Sequence, residues 1–301
     1  MKQICVLASG GDAPGMNACL EGILVAAGEK RIQVFGAFGG YDGLIEKRIE
    51  KLDIKNISHL TGSVLKCGRS EAFKTKEGTD RAVEVLKNFD ALIVMGGNGS
   101  LSGAGRLSKA GVRVIGIPAT IDNDLPYTTH SLGFSSAVEE CVRLIDNLRS
   151  TMRTNDMDHV VQLMGRGCSL LTQKVGFATF AEIVDINENR HTPEQVAKIF
   201  ETNRAGGQKS NLMVMQEKVG GSSLDDVVES VNYLIELSQA MDTSRVRMTT
   251  LGHLQRGAAV SAHDRWLGCN YGRMAVELLS KGKHGVKLGL TQDKFMHAQF
   301  S

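Results

Sequence analysis

The chain reads VRVIGIPATIDND from Val112 to Asp124, and this stretch indicates both the fold and the place where a ligand binds. Its first half, residues 112–117, is a short apolar run rich in β-branched side chains, which is typical of a buried parallel strand. Its second half, residues 118–124, is a polar turn. Open α/β proteins bind their ligands beyond the carboxyl ends of such strands, so this turn is predicted to face a binding crevice.

The turn carries a threonine, Thr120, and two carboxylates, Asp122 and Asp124, spaced two residues apart. This spacing allows both carboxylates to point into one crevice, where one takes a proton from a substrate hydroxyl and the other holds a metal ion. The alternative is that Thr120 and Asp122 only cap the next turn or helix, as Thr and Asp often do after strands. The motif alone does not decide between the two.

The composition is that of an ordinary globular protein, with 42% hydrophobic and 23% charged residues. The formal net charge is +2, from 35 basic and 33 acidic residues, which gives no overall field for binding nucleic acid or a membrane surface. The six cysteines include no Cys-x-x-Cys pair of the kind that binds zinc. The chain shows neither a signal-peptide pattern after Met1 nor an apolar run of membrane-spanning length, so we expect a reduced, soluble, cytoplasmic protein.

Strand-like and helix-like segments alternate along the chain, and this rhythm predicts an α/β fold with mostly parallel, doubly wound sheets. The predicted strands are 4–8, 34–38, 91–95, 112–117, 159–164, 181–185 and 211–215. The predicted helices are 16–27, 81–88, 102–109, 135–153, 169–180, one that opens at Thr192-Pro193 with Gln195 closing a capping box, and 225–239. The length of 301 residues fits two domains, and the pattern restarts after Gly133.

Three glycine-rich turns each follow a predicted strand and precede a predicted helix, at residues 9–15, 96–100 and 164–167. Backbone amides at such a turn, with a helix N-terminus behind them, form an anion site. None of the three matches a Walker loop or a dinucleotide fingerprint. A plain βα turn that needs a positive φ explains any one of them, but three such turns together with residues 118–124 favour a site for a phosphorylated ligand.

A basic segment completes the set of candidate residues, with Arg245, Arg247, His253 and Arg256 close together in sequence, and Arg69 is a further single candidate. Guanidinium groups pair with phosphate oxygens in a bidentate way. The alternative is a solvated charged face, but apolar and glycine residues lie between these charges. Anion loops, carboxylates suited to Mg²⁺ and an arginine cluster together indicate the transfer of a phosphoryl group to a sugar phosphate.

These motifs, in this order and spacing, resemble those of the bacterial 6-phosphofructokinase family, and the match extends over nearly the whole chain. The shared stretches are GGDAPGMN from Gly10, GGNGS from Gly96, PATIDND from Pro118, MGR from Met164 and LGHLQRG from Leu251. The resemblance implies two similar Rossmann-like three-layer α/β domains with the active site in the cleft between them, assembled as a homotetramer. It implies a larger nucleotide-binding domain of residues 1–134 and 247–290, and a smaller sugar-phosphate-binding domain of residues 135–246 with the tail 291–301.

The resemblance also implies an activity, the transfer of the γ-phosphoryl group of ATP to the 1-hydroxyl of fructose 6-phosphate, with Mg²⁺ bound together with ATP. Carried over by motif, the catalytic residues are Asp122 as general base, Thr120 beside it, Arg166 as stabiliser of the transferring group, and Gly10, whose amide faces that group. The nucleotide-binding positions are Gly10, Arg69, Gly96, Gly97, Asn98, Gly99 and Ser100. The substrate-binding positions are Thr120, Asp122, Asp124, Met164, Gly165, Arg166, Glu217, Arg247, His253 and Arg256. The metal positions are Asp124 and, in weakened form, Asn98.

Four residues depart from the family pattern. Asn98 stands where the family usually has a magnesium-binding aspartate, so metal binding is expected to be weaker. In the family, the arginine that matches Arg247 reaches the site of a neighbouring subunit, and Met157 stands where the family has a second arginine that crosses to the sugar phosphate in this way. Glu21 and Val25 replace two arginines that normally bind an allosteric nucleotide, so that effector site, as usually built, is predicted to be absent.

Three hypotheses follow for function. The first is an ATP-dependent 6-phosphofructokinase, and the small residues Gly99 and Ala119 favour ATP, because pyrophosphate-using relatives typically carry aspartate and lysine there. The second is a catalytically weakened paralogue that acts as a regulatory or structural subunit, in a hetero-oligomer with an active partner chain. The third keeps the enzyme but changes the sugar-phosphate acceptor, because Met157 removes one phosphate contact.

Overall fold

The structure, a computed structural model, describes residues 1–217, 223–238 and 246–300. Contacts between Cα atoms divide the chain into two compact units. Unit 1 comprises Met1–Ser136 and Arg256–Ser301, and unit 2 comprises Ala137–Gln255. The chain therefore leaves unit 1 after Ser136 and returns to it at Arg256.

The regular elements are numbered in chain order. The strands are β1 (Gln3–Ser9), β2 (Gln33–Ala37), β3 (Ile49–Lys51), β4 (Ala91–Gly96), β5 (Val114–Pro118), β6 (His159–Leu163), β7 (Ile183–Asp185), β8 (Leu212–Gln216), β9 (Arg247–Thr250), β10 (Val286–Thr291) and β11 (Lys294–Gln299). The α-helices are α1 (Met16–Glu29), α2 (Gly40–Ile45), α3 (Lys76–Leu86), α4 (Asn98–Lys109), α5 (Phe134–Thr154), α6 (Leu170–Ala178), α7 (Pro193–Ala205), α8 (Leu224–Ser238) and α9 (Ala262–Ser280). None of these described helices is long and apolar enough to cross a membrane.

Each unit is built on a sheet that is parallel in its interior. The sheet of unit 1 has the order β11-β10-β5-β4-β1-β2-β3, and its edge strands β3 and β11 run antiparallel to their neighbours. The sheet of unit 2 has the order β7-β8-β6-β9 and consists of parallel pairs. The α/β class with mostly parallel sheets, predicted from the sequence, is confirmed.

Both faces of the central strands of the unit 1 sheet are buried, as continuous apolar runs require. Cys5 and Leu7 of β1 lie in one core cluster together with residues of α2, α3 and α4. Ile4 and Val6 point to the opposite face, because side chains alternate along a strand, and they are fully buried as well. The central strands are therefore covered on both sides, and their carboxyl ends are where polar residues can gather.

The predicted strands are all found, with small shifts at their ends. The helix predicted from residue 81 begins earlier, at Lys76, where the side chain of Thr75 caps it. The helix predicted from residue 102 begins at Asn98, inside the second glycine turn. The capping box of Thr192 and Gln195 is confirmed. Residue 239, the end of the last predicted helix, lies outside the described residues.

Apart from the first boundary, which lies after residue 136 and not after 134, the two units differ from the predicted domains in two places. Residues 247–255 were assigned to the first domain, but β9 pairs in parallel with β6, with Arg247 opposite His159, and so belongs to unit 2. The tail 291–301 was assigned to the second domain, but β11 pairs with β10 at the edge of the unit 1 sheet. In both places backbone pairing with a neighbouring strand decides the membership.

Helices α1 and α9 pack closely because glycines line their contact. A Cβ atom at Gly22 of α1 would collide with the backbone oxygen of Cys269 and lie 2.9 Å from its Cα. A Cβ at Gly272 of α9 would lie 2.7 Å from the backbone nitrogen of Ile23. Backbone atoms cannot move aside as a flexible side chain can, so these positions tolerate no larger residue without separating the helices.

This contact predicts opposite effects for two glycines of the same helix. Gly22→Ala should lower the free energy of unfolding by about 1–3 kcal/mol, because the added methyl group overlaps backbone. Gly28→Ala should raise it by about 0.5–1 kcal/mol, because a Cβ there meets no atom within 4 Å and alanine is the better helix former. Denaturant unfolding midpoints of the two variants and the parent measure the difference. Equal midpoints for the two variants would contradict the close packing of α1 on α9.

Candidate active site

The carboxyl ends of three neighbouring strands of unit 1 bring three of the predicted loops side by side. In the register of the sheet, Ser9 at the end of β1 pairs with Gly96 of β4, and Gly96 pairs with Pro118 of β5. The first glycine turn, the second glycine turn and the turn of residues 118–124 therefore start at the same level of the same edge. The backbone N–H of Ala119 also donates to the oxygen of Gly96, over 3.0 Å.

Glycines at this edge let the loops approach one another closely. A Cβ at Gly96 would lie 2.7 Å from the backbone oxygen of Ser9 and 2.5 Å from the Cβ of Ser100. Gly10 has a φ of +92°, and a Cβ there would lie 3.2 Å from the Oγ of Ser100. Ser100 is thus packed across both glycine turns, and only backbone groups and this small side chain occupy the space.

Helix α4 begins within this cluster and offers its first N–H groups to an anion. Its N-cap is Gly97, which has no side chain to bond the free N–H groups of the first turn. A helix N-terminus with unsatisfied N–H groups favours a negatively charged ligand. Residues 97–100 were predicted to bind nucleotide, and the structure places them at the start of this helix.

Arg69 was predicted to contact the nucleotide, and its segment is bonded to the first glycine turn. The N–H of Gly10 donates to the backbone oxygen of Gly68 over 3.0 Å, and the Ser9 hydroxyl donates to the same oxygen over 3.4 Å. Arg69 itself is exposed. The position of Arg69 therefore depends on the hydrogen bonds that Gly68 accepts. The N–H of Gly10, predicted to face the transferring group, is instead bonded to Gly68 in this structure.

Thr120 and Asp122 lie in a buried turn that several hydrogen bonds hold. Their exposures are 8% and 7%. The hydroxyl of Thr120 accepts from the N–H of Asp122 over 3.2 Å, so Thr120 caps this turn. Neither residue caps a helix, because the next helix begins only at Phe134. The alternative interpretation, that these residues cap the next turn or helix, is therefore correct for Thr120 and its turn. It is wrong for a helix.

The two residues predicted to face the metal lie next to each other. The amide nitrogen of Asn98 donates to the Oδ2 of Asp124 over 2.8 Å, and both side chains are exposed. No group of three or more His, Cys, Asp or Glu residues that could hold a metal occurs among the described residues. One carboxylate and one amide fit a Mg²⁺ ion that takes its remaining ligands from water and from phosphate oxygens, which is how Mg²⁺ usually binds with nucleotides.

Arg256 lies on the first glycine turn. Its Nη1 donates to the backbone oxygen of Asp12 over 3.0 Å, and a Cβ at Gly11 would lie 2.5 Å from the same nitrogen. Arg256 belongs to unit 1, whereas Arg247 and His253 belong to unit 2, where both are exposed. The basic segment predicted as one cluster is therefore divided between the units, and Arg245 lies outside the described residues.

In unit 2, the third glycine turn lies beside Glu217. Leu163 at the end of β6 pairs with Gln216 at the end of β8. The N–H of Glu217 donates to the backbone oxygen of Leu163 over 2.8 Å. The carboxylate of Glu217 accepts from the N–H of Arg166 over 3.1 Å. The structure therefore brings together two residues that were predicted separately to bind substrate, Arg166 and Glu217.

The third turn has two consecutive residues with positive φ, Gly165 and Arg166. Gly165 has a φ of +138° and Arg166 has a φ of +50°, in the left-handed region that non-glycine residues seldom occupy. Such strain persists only where surrounding bonds hold it. Here the side chain of Gln216 donates to the oxygen of Arg166, and the buried Gln255 accepts from the N–H of Met164 over 3.2 Å. Gln216 and Gln255 were not predicted as site residues, although Gln216 precedes Glu217 and Gln255 lies within the LGHLQRG stretch, and this proximity is the sequence signal that could have found them.

Glu21 has a structural partner within unit 1. Its carboxylate accepts from the N–H groups of Asn56, Ile57 and Ser58, at 2.7, 3.2 and 2.8 Å. Burial raises the pKa of this carboxyl, but the three N–H donors outweigh it, so the pKa lies below its ordinary value. The carboxylate of Glu21 thus accepts the hydrogen bonds that the N–H groups of residues 56–58 can donate. The absence of the usual effector site stays a prediction, and this contact gives a reason for it.

The comparison with known proteins agrees with this geometry. A profile of the phosphofructokinase family matches residues 3–279. The chain is 40% identical to an ATP-dependent 6-phosphofructokinase of Clostridium novyi over 299 residues, covering 98% of this chain and 91% of that protein. It is 36% identical to the enzyme of the same name from Halalkalibacterium halodurans over 302 residues, covering 99% of this chain and 92% of that protein.

Solved structures of similar fold include a phosphofructokinase from Saccharomyces cerevisiae, with a TM-score of 0.87 and 27% identity. The alignment covers this whole chain and 45% of the yeast chain. A pyrophosphate-dependent phosphofructokinase from Marinobacter aquaeolei has a TM-score of 0.85 at 19% identity, which is a likeness of fold. On the family profile and on its relatives of 36–40% identity, the chain belongs to the phosphofructokinase family.

Proposed function

We propose that the chain transfers the γ-phosphoryl group of ATP to the 1-hydroxyl of fructose 6-phosphate, giving ADP and fructose 1,6-bisphosphate. The observation that carries this proposal is the register of β1, β4 and β5. It sets two glycine turns, the start of α4 and the buried pair Thr120 and Asp122 at one edge of the unit 1 sheet. Anion-binding backbone and a candidate base side by side are what a phosphoryl transfer to a hydroxyl needs.

The nucleotide end of the proposed site uses backbone more than side chains. The N–H groups at the start of α4 are suited to phosphate oxygens, because they are fixed at a helix N-terminus. The N–H of Gly10 donates to the oxygen of Gly68, so it is not counted among them. Ser100 and Arg69 add a hydroxyl and a cation beside them. Gly99 leaves open space, since a Cβ there would meet no atom within 4 Å, and Ala119 is buried. Neither position offers the aspartate or lysine of pyrophosphate-using relatives, which supports ATP as the donor.

Mg²⁺ would be held by Asp124 and the nucleotide, with Asn98 as a neutral neighbour. When bound, such an ion neutralises charge on the phosphate oxygens during transfer. Asn98 already bonds the carboxylate of Asp124, and this bond keeps that carboxylate in place. One carboxylate in place of two is expected to give weaker binding to metal, so the site should need more Mg²⁺ than relatives with two.

Asp122 takes the proton of the sugar's 1-hydroxyl while the oxygen of that hydroxyl attacks the γ-phosphorus of ATP. The bond between the γ-phosphorus and the β-phosphate oxygen breaks, and ADP leaves. The low exposure of Asp122 excludes most water, and the N–H bond to Thr120 fixes the turn. Arg166 stabilises charge on the transferring group, and its strained backbone is held by Glu217 and Gln216. The sugar phosphate is bound by Glu217 together with Met164, Gly165, Arg247, His253 and Arg256.

The proposal extends to assembly and location. The family resemblance supports a homotetramer, in which Arg247 serves a neighbouring subunit, and a cytoplasmic location stays a prediction. The second hypothesis, a weakened paralogue beside an active partner in a hetero-oligomer, is not favoured, because relatives at 36–40% identity are named as ATP-dependent enzymes. The third, another sugar-phosphate acceptor, rests on Met157 alone.

The test is steady-state turnover by the purified chain alone, with ATP, Mg²⁺ and fructose 6-phosphate. We expect kcat of the order of 1–1000 s⁻¹, formation of fructose 1,6-bisphosphate, and no turnover when pyrophosphate replaces ATP. Glucose 6-phosphate in place of fructose 6-phosphate tests the acceptor, and light scattering after gel filtration gives the assembly. Absence of turnover alone, with activity restored by a partner chain, would support the second hypothesis instead.

A further inference from the structure

Asp264 is a carboxylate in the first turn of α9 that lies in the interior of unit 1, with an exposure of 0%. Its hydrogen-bond partners in the described residues are neutral groups. A buried carboxylate without a cation beside it is costly unless several donors satisfy it. The identity of these donors therefore shows which part of the structure this carboxylate holds.

Both carboxylate oxygens accept hydrogen bonds from the segment that follows the turn of residues 118–124. Oδ1 accepts from the N–H of Gly133 over 3.0 Å, and Oδ2 accepts from the N–H of Ser136 over 2.8 Å and from its hydroxyl. The Ser136 hydroxyl in turn accepts from the N–H of Ser261, the N-cap of α9, over 3.0 Å. Asp264 also belongs to the N-terminal cap of α9, because its N–H donates to the hydroxyl of Ser261 over 3.1 Å and its Oδ2 accepts from that hydroxyl over 3.4 Å. A residue that served only as this cap would not bond a segment more than a hundred residues away in the chain.

Gly133 lies between this carboxylate and the first glycine turn. Its φ is +97°, and a Cβ there would lie 2.8 Å from the Cβ of Ala13 and 3.0 Å from the Cδ of Pro14. A Cβ at Gly15 would likewise lie 3.1 Å from the backbone oxygen of Asp264. Asp264 therefore contacts both the end of the first glycine turn and the end of the loop that carries Asp122.

A short ladder connects Gly133 to the proposed base. Leu132, its neighbour in the chain, donates to the oxygen of Pro118 and accepts from the N–H of Thr120, both over 3.0 Å. The hydroxyl of Ser131 donates to the oxygen of Thr120 over 2.7 Å. Thr120 then accepts from the N–H of Asp122. A displacement of Gly133 would therefore also move Leu132 and Ser131, and through their hydrogen bonds it would move Thr120 and Asp122.

We propose that Asp264 is a positioning residue, whose buried carboxylate holds residues 131–133 and so fixes Asp122 and Thr120 against the first glycine turn. This inference rests on the proposed function for its effect on rate, but its effect on the loop stands without it. Asp264 itself does not touch substrate in this scheme. It acts on the chemistry only through the backbone that it holds.

The test is the isosteric Asp264→Asn variant. Both oxygens of Asp264 accept from N–H groups, so an amide NH₂ in place of one oxygen must face a donor and cannot bond it. We expect kcat at saturating substrates to fall about 10- to 100-fold, with KM values for ATP and fructose 6-phosphate changed by less than about threefold. Hydrogen exchange of peptides that cover residues 118–133 should become faster, measured by mass spectrometry.

Asp158→Asn is the matched control. Asp158 is also 0% exposed, and it accepts from the N–H and the amide nitrogen of Asn211 and from Nε of Arg204. It precedes the amino end of β6, the end opposite to Arg166. We expect Asp158→Asn to destabilise the chain while kcat stays within about twofold, because the partners of its side chain, Asn211 and Arg204, lie in unit 2 and not among residues 118–133. Both variants are assayed well below their own unfolding midpoints.

If Asp264→Asn does not fold, Ser136→Ala removes one of the donors and leaves both carboxylate oxygens, and a smaller fall in kcat with faster exchange at 118–133 is expected. Unchanged exchange at 118–133 would overturn the inference, and so would a kcat loss no greater than that of Asp158→Asn. If the parent chain shows no turnover, the proposed function fails on its own. The exchange measurement still decides whether Asp264 holds the loop.

Discussion

Asp122→Asn should lower kcat by about 10²- to 10⁴-fold at saturating ATP, Mg²⁺ and fructose 6-phosphate, the range that a positioned general base contributes. The amide is nearly isosteric with the carboxylate but cannot accept the proton of the 1-hydroxyl. Because Asp122 is only 7% exposed and its N–H bond to Thr120 involves the backbone, the turn should keep its shape. Binding of fructose 6-phosphate, measured by calorimetry, should therefore change little.

Asp124→Asn serves as the comparison for this variant, because it removes the other carboxylate of the same turn. Asp124 is exposed and bonded to Asn98, so its loss should raise the Mg²⁺ requirement and leave much of the activity at high Mg²⁺. The activity of Asp122→Asn should not recover at any Mg²⁺ concentration. A variant of Asp122 that kept kcat within about tenfold of the parent would show that another group takes the proton.

Much of the fold follows from the sequence because the central strands are buried on both faces. Runs such as 91–95 and 112–117 have no polar side to place in water, so only a covered parallel sheet suits them. The edge strands lack this signal. β9 is largely exposed, and β11 contains only half-buried and exposed residues, so neither stands out as apolar. Their pairing with β6 and β10, which no local pattern reveals, is what moved the two predicted boundaries.

The candidate site was predictable where function depends on local backbone. Glycine turns after strands must lie at the carboxyl edge, and the register of β1, β4 and β5 places them there. The supporting groups were not predictable. Gln255 lies within the LGHLQRG stretch, but its bond to Met164, like the bond of Asp264 to Gly133, spans a long separation in the chain that no local pattern reveals. Only tertiary structure shows that such residues hold a site.

The contact between Asn98 and Asp124 makes the departure from the family pattern measurable. The amide of Asn98 donates to the carboxylate of Asp124 over 2.8 Å, which satisfies that carboxylate without a cation. Asn98→Asp would replace the donor with a second carboxylate at the same place. Two carboxylates so close repel one another unless a cation lies between them or one takes up a proton. The variant site should therefore depend more strongly on a bound cation than the parent site does.

We accordingly expect Asn98→Asp to lower the Mg²⁺ concentration for half-maximal rate by about tenfold, which corresponds to about 1.4 kcal/mol of added binding free energy. The measurement is initial rate against free Mg²⁺ at fixed, saturating ATP and fructose 6-phosphate. Asn98→Ala is the control, because it removes the hydrogen bond to Asp124 without adding charge. It should not lower the Mg²⁺ requirement. An unchanged requirement in Asn98→Asp would mean that residue 98 does not reach the metal, and an equal shift in Asn98→Ala would assign the effect to release of Asp124 rather than to charge.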